Sequence, residues 1–169
     1  MTRRLLMLLT IGASALLQQL LPAWPLFGGV KPPLLAALAL YYALRRDSRD
    51  MWLAVVTAAL LQDGLDLGVF GPALLAFPMI GILAHRIRNE VFADGLVTQL
   101  VFGAAIGVFT TFIAILIHSA SGQRPFHFGM ASVRLLSSLW LGMAVLPLVS
   151  LSINKLEASL PQRRGYGWQ

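Results

Sequence analysis

Apolar and polar positions along this chain alternate in blocks: long uncharged runs are separated by short polar segments. Six runs can be marked, at about residues 5–21, 31–44, 51–63, 71–85, 96–118 and 133–153. The first follows the basic start MTRR and gives way to PAWPLFGGVKPP, where Pro and Gly break a helix and Trp24 suits a membrane interface. A helix that crosses the ~30 Å hydrocarbon core needs about 20 apolar residues at 1.5 Å each. The fifth run meets that length, whereas the second has its apolar heart only at Leu34–Leu44. To cross, it must recruit flanking residues, tilt little, or sit where the bilayer is thinned. Pro72 fits the first turn of the fourth run, Pro78 is expected to kink it, and Pro147 lies inside the sixth.

Composition turns these runs into membrane spans. Hydrophobic residues make up 57% of the 169 positions and charged residues only 12%, against about 25% charged in an ordinary soluble domain. A globule would lack the polar residues to cover its surface, so the expectation is an all-α integral membrane protein, one transmembrane domain over residues 1–169. No period marks an internal repeat and no linker marks a second domain.

Charge sets the orientation. The net charge is +6, but the cations are dispersed between apolar runs rather than clustered as a nucleic-acid surface would require. Arg3, Arg4, Arg45, Arg46, Arg49, Arg86, Arg88, Lys155, Arg163 and Arg164, ten of the 13 basic residues, fall on one side of a six-span arrangement. Lys31, Arg124 and Arg134 fall on the other. The positive-inside rule then places both termini in the cytoplasm. The first residues also have the outline of a signal peptide ending near Ala13–Ala15, but the apolar run continues through Leu21, which favours a retained span.

Candidate chemistry is sparse. There is no cysteine, so disulfides and thiol catalysis are excluded. His85, His118 and His127 have no metal-ligand spacing, and no metal or other cofactor is expected. Gly103 and Gly107 form a GxxxG in the fifth span, and Ser138 and Gly142 a small-xxx-small pair in the sixth; both suit close helix packing, within the chain or against a partner helix. Asp63 and Asp66 stand at the outer end of the third span, three residues apart, and would share a face if helix ran through both. Gly64, Gly68 and Gly71 argue that the helix ends there. Asp66 reads as a solvated loop carboxylate, and Asp63 as a half-buried group that fixes amides of the Gly-rich turn or meets a partner. Proton coupling is the weaker reading, since the other spans offer no second buried titratable group to pass a proton on.

The stretch KPPLLAALALYYALRR, followed by LLQDGLDLGVFGPALLAFPMIGILAHRIR, resembles the rod shape-determining protein MreD family. Pro32, Tyr42, Ala43, Leu44 and Arg45 take the first set of motif positions, and Asp63, Phe70, Gly71 and Leu74 the second. Pro33, Gln62, Gly64 and Asp66 depart from the pattern. The resemblance covers residues 31–88 and implies a non-catalytic component of the bacterial elongation machinery in the inner membrane. Its implied partners are the single-span periplasmic protein MreC and, in a larger complex, MreB, RodA and a transpeptidase. It also implies a fold similar to the six-helix substrate-binding S component of energy-coupling-factor vitamin transporters, with Asp63 ordering the outer turn.

Two other classes compete. An S component itself would need polar side chains lining a cavity, for which Gln18, Gln19, Gln99, Thr110, Thr111 and His118 are candidates. An intramembrane enzyme would draw on Ser119, Ser121, His118 and His127, but no buried carboxylate partner accompanies them.

Overall fold

A computed structural model describes residues 2–22, 29–66, 70–88, 95–122 and 128–159. Within them the chain is all-helical, with α1 at Thr2–Leu20, α2 at Leu34–Arg45, α3 at Ser48–Leu65, α4 at Pro72–Ile87, α5 at Leu96–Ala120 and α6 at Phe128–Ser159. Two of these, α5 and α6, are long and apolar enough to cross a membrane. Arg3 (as to its side chain), Trp24, Gly68, Arg124, His127, Arg163 and Arg164, all named above, lie outside what is described.

The helices alternate in direction. The starts of α1 and α3 meet through Arg4 and Asp50, and their ends through Gln18 and Gln62. The end of α2 meets the ends of α4 and α6 through Arg46–Arg88 and Arg45–Asn154. Neighbouring helices pack in the order α1–α3–α4–α5–α6, an open ring around α2, which touches all five; α1 and α6 do not close it.

This arrangement explains why α2 is short. Twelve residues rise only about 18 Å, too little for a span that must present itself to lipid. Every residue from Leu35 to Ala43 is instead buried against other helices, the pattern of a helix that is apolar all round. The flanking Lys31–Pro33 are not recruited: helix begins at Leu34, because Pro33 disfavours the helical region for Pro32 before it. Other boundaries also differ from the apolar runs. Gly64 does not stop α3, which continues to Leu65. Helix α6 begins at Phe128 and runs on past Ile153 to Ser159, with Pro147 inside it, and α4 passes through Pro78.

Exposed large apolar side chains occur on all five ring helices, among them Leu9, Trp52, Met79, Val97 and Trp140, and α2 contributes none. Close helix approach is bought with small residues. A Cβ at Gly81 would sit 2.9 Å from Val55 Cγ2, so α4 lies against α3 where only glycine fits without a shift.

Candidate functional site

The polar residues of the third span build one end of the bundle. Asp63 is buried, with 5% of its surface accessible. Its Oδ1 accepts from the Ala73 amide at 2.9 Å, and Oδ2 accepts from Gly71 at 3.1 Å and Leu74 at 2.9 Å. Those amides open α4, whose own cap residue, Gly71, has no side chain to offer. A helix leaves its first amides without internal partners. Here a carboxylate from the preceding helix supplies all three bonds, with the favourable charge for a helix N-terminus. Gly71 takes φ +128°, a backbone region that L side chains rarely adopt. Motif positions 63 and 71 are thus two halves of one turn.

The start of α2 is capped in the same way from another helix. Gln18 of α1 accepts the Leu35 amide at 3.1 Å and donates to Gln62 Oε1 at 2.7 Å; Gln62 then donates to Asp66 Oδ2 at 2.7 Å. Gln19 donates to the Leu65 carbonyl and accepts from Lys31 Nζ, both at 3.0 Å. The two aspartates do not share a face: α3 ends at Leu65, so Asp63 turns inward while Asp66, its C-cap residue, is exposed. Pro32 lies just ahead of α2, and its carbonyl accepts the Leu34 amide at 2.9 Å.

The other end of α2 is held by motif residues Tyr42 and Arg45. Tyr42 is fully buried and its hydroxyl lies 2.7 Å from Thr10 Oγ1. Thr10 donates its own hydroxyl hydrogen to the Met7 carbonyl, so Tyr42 is the donor of the pair. Arg45 donates to Asn154 Oδ1 at 2.6 Å and to the Tyr41 hydroxyl at 3.1 Å. Its guanidinium also lies 4.8 Å from the Tyr41 ring centre, within cation–π range.

Helices α5 and α6 cross where the small residues meet. A Cβ on Gly103 or Gly107 would collide with the backbone carbonyl of Gly142 or Ser138, and one on Gly142 with that of Gly103. The four residues therefore pack against one another within the chain. One helical turn or two away, Gln99 donates to Ser150 Oγ at 3.1 Å.

Five of the six polar residues weighed for a ligand cavity, all but Thr111, have hydrogen-bond partners inside the chain. Gln18, Gln19 and Gln99 are accounted for above; Thr110 donates to Ile106 and Gly107 carbonyls, and His118 Nδ1 to the Ala114 carbonyl at 2.7 Å. Ser121 donates to Ile117 and His118 carbonyls rather than to an imidazole. His127 lies outside the described residues. Among the described residues no three histidine or acidic side chains converge on a metal position. An apolar groove of about 440 Å³ opens on α5 between Ala104, Ala105, Val108, Phe109 and Phe112, with Leu139 of α6 at its edge. Missed by sequence reasoning were Asn154 and Thr10, single polar residues whose partners are 109 and 32 positions away.

The site is therefore a set of interhelical locks in an all-helical protein with two helices fit to cross a membrane. Comparison with known protein families, curated proteins and solved structures finds no match.

Proposed function

We propose that this chain is a six-span, non-catalytic scaffold of the bacterial inner membrane, of the kind represented by the MreD family, with both ends of the chain in the cytoplasm. In this reading it binds an MreC-like membrane protein and helps position peptidoglycan synthesis with MreB, RodA and a transpeptidase. The observation that carries the reading is the use made of the motif residues. Asp63 and Gly71 form the α3–α4 turn, and Tyr42 and Arg45 fix the central helix to α1 and α6. A motif spent on holding helices together is what a scaffold needs, and none of these residues lines the apolar groove on α5.

An S component of a vitamin transporter is the second reading. The central position of α2 weighs against it, because nine consecutive buried residues fill the middle of the ring. Of the polar side chains that would have read a ligand, Gln18, Gln19 and Gln99 are engaged with neighbouring helices, and Thr110 and His118 with carbonyls of their own helix. Detergent pull-down of tagged protein from its native host, with mass spectrometry of proteins and small molecules together, decides between them. The scaffold reading expects an MreC-like partner or a wall synthase and no stoichiometric vitamin. Energising ATPases with a bound vitamin would overturn it.

A further inference from the structure

Three helices of the ring carry an exposed apolar stripe that ends in an exposed cation. On α3 the stripe is Leu60, Val56, Leu53 and Trp52, and one turn beyond Trp52 it reaches Arg49. On α4 it is Leu75, Met79, Ile82 and then Arg86. On α6 it is Val133, Leu136, Trp140, Ala144, Leu148, Leu151 and then Lys155. Apart from the adjacent pair Leu53 and Trp52, steps of three and four residues keep each set on one helical face. The helices alternate in direction, so the start of α3 and the ends of α4 and α6 share one end of the bundle, and all three cations stand there.

We propose that this end of the bundle is a binding surface for anionic phospholipids, with acyl chains along the stripes and headgroups at Arg49, Arg86 and Lys155. The stripe accounts for the chains and the cation for the headgroup. An arginine or lysine at the end of an apolar stripe lays its methylenes along the hydrocarbon and puts its charge at the interface. Trp52, 41% exposed and one turn inward from Arg49, has an amphipathic ring suited to the same boundary. A zwitterionic headgroup also presents a phosphate, but its choline cancels the attraction, so the surface selects net negative lipids. The local preference expected from one such cation is about fivefold.

The proposal rests on the membrane-spanning reading, and one experiment separates the two. Trp24, Trp140 and Trp168 are replaced by Phe, leaving Trp52 as the only tryptophan. The protein is reconstituted in vesicles of brominated phosphatidylcholine, brominated phosphatidylglycerol or mixtures, and quenching of Trp52 gives the relative affinity of the two lipids beside α3. Phosphatidylglycerol should be preferred about fivefold, the preference should fall to about one with Arg49→Gln, and Arg49→Lys should keep it. High salt should shrink it. A ratio near one with Arg49 in place, or a preference untouched by Arg49→Gln, overturns the proposal and leaves the spanning reading intact. Failure of both lipids to quench overturns both readings. If Arg49→Gln does not fold, the comparison of Arg49 with Lys at low and high salt still decides, since a lipid preference indifferent to salt is not carried by charge.

Discussion

Asp63 joins two helices through one side chain. Its three acceptor contacts satisfy the opening amides of α4, and in a low-dielectric interior each unsatisfied amide would cost about 1–3 kcal/mol. Asp63→Ala is therefore expected to destabilise the folded protein by about 3 kcal/mol, less than three full penalties because the turn is partly open to water. Asp63→Asn should cost about half as much. Its carbonyl oxygen can serve Gly71 and Leu74 in place of Oδ2, but its amide nitrogen then faces the Ala73 donor. Unfolding titrations in mixed micelles would rank the three proteins, and equal stability of Asp63→Ala and the parent would remove the cap from the account. The carboxylate was legible in the sequence as a half-buried group near a Gly-rich turn. A face shared with Asp66 would need helix through position 66, and α3 stops one residue earlier, close to the end that the glycines suggested. Gln62 seemed a departure from the motif, yet it links Gln18 to Asp66, a relation that local spacing cannot reveal across 44 positions.

At the scale of elements, glycine has opposite value in different helices. Lipid is as apolar as a leucine side chain, so α5 and α6 associate through close van der Waals contact rather than through burial from water. Gly107→Ala would drive a methyl group into the Ser138 carbonyl. The helices must then part, at a cost of about 1–3 kcal/mol. Gly12→Ala in α1 meets nothing within 4 Å and should stabilise that helix by up to about 1 kcal/mol through lower backbone entropy. Thermal unfolding of both variants beside the parent checks the pair; the same sign of shift in both would mean that the α5–α6 crossing is not tight. The small-residue motifs were visible in the sequence, because their signal is a spacing on one helix. That they face each other, rather than a partner protein, is a tertiary fact. Helix α2 shows the complementary failure: an apolar run read by length against a bilayer is a poor span, and only its five neighbours explain why 12 residues suffice.

For the whole molecule, alternating helices turn a scattered sequence pattern into a two-ended object. Arg4, Arg45, Arg46, Arg49, Arg86, Arg88 and Lys155 all belong to one end, and Lys31 and Arg134 to the other. Moving the first group across a bilayer would place their charges against the membrane potential, so the basic end is expected in the cytoplasm. The chain contains no cysteine, which makes the expectation directly measurable. Asp47→Cys lies in the α2–α3 connection at the basic end, and Ser121→Cys follows α5 at the opposite end; both positions are exposed. In intact bacterial spheroplasts, a membrane-impermeant maleimide should label Ser121→Cys and should reach Asp47→Cys only after permeabilisation. The reverse pattern would invert the orientation while keeping the bundle. Labelling of both positions without permeabilisation would mean that the connection before α3 and the end of α5 lie on the same side, and the six-span reading would then fall even though every interhelical lock described above remained in place.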